Sequence, residues 1–136
     1  MKIKNLLFIL SAFVVFSCDS VSKTTDHTDS EECTKIQSAY VSEVTGEQQV
    51  EAGSTLDLTV SFPVMSGCGQ FNEFKETATG KTITVEVEAI YKGCICTMDI
   101  PTRTATYTFN PSKRGSYTLK FKSSDTDYIE KTIRVN

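Results

Sequence analysis

The sequence has no tryptophan, three prolines and a single histidine among 136 residues. That histidine, His27, lies outside the strand-like part of the chain, so Ser-His-Asp and Cys-His catalytic arrangements have no base to build on. Positive charge is in short supply: 14 Lys and Arg against 17 Asp and Glu leave a net charge of -3. No clustered basic face of the kind a nucleic acid requires is present, which argues against such a partner. Glycine-rich phosphate loops are missing as well. Beyond residues 6–16, no apolar run approaches the ~20 residues that a membrane-spanning helix needs. Helical periodicity is also absent, since no apolar stripe of 3.6-residue spacing lasts beyond two turns. An enzyme is not expected, and no cofactor is implied.

What is present is alternation. Leu56, Leu58, Val60 and Phe62 alternate with Thr55, Asp57, Thr59 and Ser61, the period of a half-buried strand. Gly53-Ser54 opens this strand and Pro63 closes it. Ile83, Val85, Val87, Ala89 and Tyr91 share one phase, and Thr84, Glu86 and Glu88 the other. Ala105, Tyr107 and Phe109 follow the same rule, as do Tyr117, Leu119 and Phe121 after the turn Asn110–Gly115. Ser124–Asp127 turns the chain again before Ile129, Ile133 and Val135. Lys131 falls at the inward phase of that last strand, which predicts an edge where a charge reaches water. Residues 36–44 and 49–50 predict an opening strand or pair, split at Thr45-Gly46, while 71–75 is short and ambiguous. The expectation is an all-β, single antiparallel β-sandwich of seven to eight strands over residues 33–136.

Five cysteines are present. Setting aside Cys18, an even set of four remains: Cys33, Cys68, Cys94 and Cys96. In a small exported domain such a set reads as two disulfides with three connectivities open. Cys94 and Cys96, spaced i, i+2, would point the same way on an extended strand and so bond elsewhere rather than to each other. Cys68–Cys94 with Cys33–Cys96 is slightly favoured over the swapped pairing. The glycines beside Cys68 and Cys94 suggest close backbone approach or a bulge. The alternative is a soft-metal site, with Cys68, Cys94, Cys96, Met98 and Met65 as thiolate and thioether ligands for Cu(I). It needs reduced thiols in an oxidising compartment, which works against it. A redox-active Cys-x-Cys would lack a basic partner or helix N-terminus to lower a thiol pKa. Of the acidic pairs, Glu86 and Glu88 read as a solvated face. Asp125 and Asp127 read as turn chemistry, with Ca²⁺ binding as the weaker reading. Tyr40, Tyr91, Tyr107 and Tyr128 are the residues a sugar-stacking platform would use, but alternation sends Tyr91 and Tyr107 to the core.

The N-terminal stretch carries the address. Lys2 and Lys4 precede the apolar Leu6–Phe16, a signal-peptide pattern that predicts a leader at 1–17, removed on export. Val15-Phe16-Ser17-Cys18 resembles the lipobox of bacterial lipoproteins: an aliphatic residue, a small residue, then the cysteine that is acylated. The resemblance implies a diacylglyceryl thioether on Cys18, cleavage before it and N-acylation of the new terminus. Two or more chains would give stable membrane anchoring where one is marginal. The location implied is the bacterial cell envelope, at the outer membrane or a periplasmic face. Residues 18–32 then form the acylated cysteine and a flexible acidic tether, with five acids, one lysine and one apolar residue, Val21, over 19–32. That composition cannot bury enough surface to order itself. His27 with Asp26 and Asp29 could capture a metal only weakly, and solvation accounts for it.

Gly53-Ser-Thr-Leu-Asp-Leu-Thr-Val and Gly115-Ser-Tyr-Thr-Leu-Lys-Phe resemble the B-like and F-like strands of immunoglobulin-like and fibronectin-type domains. Tyr117, just past a turn, is similar to the tyrosine corner of those folds. The resemblance implies a shape and carries no activity. The chain is thus expected to be a lipid-anchored, non-enzymatic structural or interaction module with a protein or glycan partner. A periplasmic or surface copper-binding protein is the alternative.

Overall fold

In a computed structural model, residues 33–136 are described; the leader, Cys18 and the tether with His27 lie outside them. Nine strands follow in chain order: β1 (Thr34–Ala39), β2 (Glu43–Thr45), β3 (Gln49–Val50), β4 (Leu56–Pro63), β5 (Gly69–Thr79), β6 (Thr82–Lys92), β7 (Thr102–Phe109), β8 (Gly115–Lys122) and β9 (Tyr128–Val135). They form two sheets. The smaller runs β2-β4-β7, and the larger joins β1, β3, β5, β6, β8 and β9.

Strand β6 organises the larger sheet. One of its edges pairs with β5 from Gly69↔Tyr91 to Thr79↔Thr82. The other is shared: β8 takes Thr82–Val85 and β1 takes Val87–Lys92. The fold is the expected β-sandwich, with two departures. There are nine strands, because residues 34–50 break into three short pieces rather than one or two. The pairing is also mixed, since β6–β8 and β3–β9 are parallel. The β5–β6 hairpin reverses the chain inside the larger sheet. The excursion of β7 into the smaller sheet then returns β8 beside β6 in the same direction.

The two inner faces meet as the alternation predicts. Leu58, Val60 and Phe62 of β4 pack opposite Val85, Val87, Leu119, Phe121 and Ile133, all essentially without solvent contact. No tryptophan fills the middle; a row of rings does. Phe62, Phe71, Phe74, Tyr107 and Phe121 follow one another with centroids 4.6–6.1 Å apart, within the range where tilted and edge-on rings attract. Phe71 and Phe74 are three residues apart, which in a regular strand would place them on opposite faces. A β-bulge between Phe71 and Glu73 inserts Asn72 and turns both rings inward. Burial pushes the Tyr107 phenol well above its ordinary pKa, and Glu76 adds to the shift.

The turn before β8 fixes its entering tyrosine. The Tyr117 hydroxyl donates to the Lys113 carbonyl at 3.0 Å, the bond expected of a tyrosine corner. Lys131 is half-exposed at the inward phase of β9. Strand β3 covers only Arg134 and Val135, so the edge beside Lys131 is open to water. Among the described residues no buried side-chain nitrogen or oxygen lacks a partner.

Phe62→Ala should remove the first ring of the row and leave a cavity, costing about 3–5 kcal/mol. Urea unfolding of the two proteins checks this; a loss under about 1 kcal/mol would mean the row repacks around the gap.

Candidate functional site

The unusual side chains gather at one end of the sandwich. Three segments meet there: Cys33 leading into β1, residues 64–68 after β4, and residues 93–101 after β6. Residues 94–98 form no strand, so the shared strand face expected of Cys94 and Cys96 does not form. The disulfides are Cys33–Cys94, with Cα atoms 4.9 Å apart, and Cys68–Cys96, at 5.5 Å. This corrects the favoured pairing. All four cysteines are paired and Cys94 does not bond Cys96, but the partners are exchanged.

Strand register is the reason. Thr34 lies opposite Lys92, so the next step along the ladder brings Cys33 to Gly93. There the Gly93 amide donates to the Cys33 carbonyl at 3.2 Å. Gly93 has φ 131°, a conformation that side chains disfavour, and it turns Cys94 onto Cys33. The remaining loop folds back on the segment that leads into β5, where the Gly67 amide donates to the Thr97 carbonyl at 3.1 Å and Cys96 reaches Cys68. Gly69 has to be glycine: a Cβ there would stand 2.8 Å from the Tyr91 ring and 2.5 Å from Val64.

Further bonds hold this end. Arg103 donates to the Gly69 carbonyl at 2.9 Å and the Gly67 carbonyl at 3.1 Å. The Val64 amide donates to Pro101 at 3.0 Å, and the Met65 amide to the Tyr91 hydroxyl at 2.9 Å. Outside this framework stand large apolar side chains in water. Ile95 is 95% exposed and Met98 98%, with Met65, Ile100 and Ile36 also exposed. A shallow open cleft of about 470 Å³ lies alongside, lined by Cys33, Lys35, Met65, Ser66, Tyr91 and Gly93.

The soft-metal alternative loses its thiolates here, because both disulfides consume them and Met65 and Met98 project into solvent. Among the described residues no group of three or more His, Cys, Asp or Glu could hold an ion. Asp125 and Asp127 serve the turn. The Ser124 hydroxyl accepts from the Asp127 amide at 2.9 Å and donates to its carboxylate at 2.9 Å, while Asp125 accepts from Tyr40. That hydrogen bond holds the Tyr40 phenol above its ordinary pKa. Tyr91 is half-buried and Tyr107 buried, so no tyrosine platform forms.

Glu86 and Glu88 face outward on the larger sheet, where they are paired. Lys75 bridges Glu88, Lys122 lies 3.4 Å from Glu86, and Lys120 lies 2.9 Å from Glu130. The Lys75 bond holds the Glu88 carboxyl below its ordinary pKa against the opposing effect of partial burial, and the Asn72 amide helps. Sequence reasoning named Met65 and Met98 but missed Ile95 and Ile100. Their signal was aliphatic residues in a stretch that breaks alternation between Gly93 and Pro101.

Residues 58–135 of the 136 match a family model described as the ORF11 beta-sandwich domain. No curated protein matches the chain. No solved structure matches it either.

Non-reducing peptide mapping should recover Cys33 linked to Cys94 and Cys68 linked to Cys96, with no free thiol; free thiols at two or more of these positions would revive metal binding. Removing the first bond as Cys33→Ala/Cys94→Ala opens the larger loop, worth about 4 kcal/mol on chain entropy against about 3.5 for the second. For Glu88, a carboxyl whose pKa falls on folding adds stability at neutral pH that disappears as pH drops through the lowered value. Glu88→Gln should therefore lower Tm at neutral pH, and the gap should close in calorimetry below about pH 4.

Proposed function

Since the chain belongs to the ORF11 beta-sandwich domain family, whose description states a fold and no activity, we propose that it is a lipid-anchored cell-envelope protein working by contact rather than catalysis. The observation that carries this reading is the end of the sandwich where Cys33 enters. Two disulfides and Arg103 hold a loop there that presents Ile95 and Met98 to water. Disulfides suit an oxidising compartment outside the cytoplasm. The leader pattern and Cys18 supply both the route there and the anchor. The side chains offered to a partner are aliphatic and thioether groups, which suit burial against an apolar surface and lack the hydrogen-bonding groups a glycan demands. A contact module needs no general base paired with a nucleophile, and the polar side chains lining the cleft at the disulfide-tied end are Lys35, Gln37, Ser66 and the half-buried Tyr91.

Labelled palmitate should enter the full chain expressed in a bacterium, and Cys18→Ala should abolish both labelling and recovery with membranes. If label fails to enter and the variant partitions as before, the anchoring reading is wrong.

A further inference from the structure

We propose that the disulfide-tied end seats on the bilayer itself, with Ile95 and Met98 entering its interfacial layer and Met65 and Ile100 covering the rim. This rests on the anchoring reading of Cys18 and names what the contact surface touches. Position is the first argument. Cys33 sits at this end, so the segment joining it to Cys18 reaches the domain beside the exposed loop. Asn136 lies at the other end, where its amide bonds Val50 at 3.0 Å and its carbonyl accepts from Ala52 at 2.9 Å. Fourteen residues, 19–32, separate Cys18 from Cys33, and a coil of that many residues would span ~20 Å on average. The loop is thereby confined near the membrane, and confinement makes even a weak contact effective.

Chemistry is the second argument. Protein hot spots favour Trp, Tyr and Arg. Here the exposed large side chains are the isoleucines Ile36, Ile95 and Ile100 and the methionines Met65 and Met98, which ask for no directional partner and suit acyl chains. Lys35 and Lys92 stand exposed beside Cys33 and Gly93, each with no ion pair among the described residues, as cations facing headgroup phosphates would. The loop's one acid, Asp99, turns back toward Gly67. Rigidity is the third argument. The loop is already held by two disulfides and the Gly67–Thr97 bond, so contact requires little further ordering.

The chain contains no tryptophan, so one introduced indole is an unambiguous reporter. The acylated full chain carrying Ile95→Trp is mixed with vesicles of phosphatidylethanolamine and phosphatidylglycerol. Its emission should shift to shorter wavelength and be quenched by brominated acyl chains. Lys113→Trp, at the far end, should show neither effect. Adding Met98→Ser to the Ile95→Trp chain should reduce the shift. A chain that floats with vesicles while its indole still emits as in water would overturn the inference and leave the anchor standing. Failure to float, equal to that of Cys18→Ser, would remove the anchor reading and this inference with it. A shift seen only with native envelopes and never with protein-free vesicles would assign the loop to a protein partner instead and overturn the bilayer assignment.

Discussion

Strand β6 is shared by three neighbours, and the consequences run through the molecule. Its inward residues Val85, Val87 and Ala89 form the floor of the core. Its outward Glu86 and Glu88 pair with lysines from β8 and β5. Its register with β1 carries past Lys92 to place Cys33 against Gly93 and Cys94. A slip of one residue would turn every one of these side chains to the wrong face. Core, outer charge ladder and cross-link therefore depend on a single alignment.

Around that alignment the two ends of the sandwich are built differently. At the far end, backbone bonds among Ala52, Gly53, Pro111 and Asn136 close a compact set of turns. At the near end, regular structure stops at Lys92 and resumes at Thr102, and sulfur bridges with Arg103 replace the missing ladder. This exchange of ladder bonds for cross-links frees the loop's side chains from packing duty. Ile95 and Met98 can then face outward without loosening the backbone that carries them.

Much of the fold is legible in the residues. Strict alternation over 56–62, 83–91, 105–109 and 117–121 identifies the strands and the buried face of each, and Tyr117 after its turn locates the corner bond to Lys113. Alternation names a face and not a neighbour, so the parallel pairing of β6 with β8 was hidden. Strand β5 was hidden because Asn72 breaks its period between two inward phenylalanines. The sulfur partners depend on the Thr34↔Lys92 register, which spacing along the chain does not contain. For the candidate site, the cysteines and methionines stood out by chemistry. Ile95 and Ile100 did not, because an isoleucine among cysteines reads alike whether covered or bare.

The Cys33–Cys94 bond also has a mechanical meaning. Any pull on the segment before Cys33 arrives at the first turn of β1, an edge strand that could otherwise be peeled one hydrogen bond at a time. The cross-link hands that load directly to the chain just beyond β6, which is braced along both sides. Traction is thus shared by many backbone bonds loaded together, and the outermost strand is spared. A domain cross-linked in this way resists a pull applied at Cys33 better than an edge strand alone would.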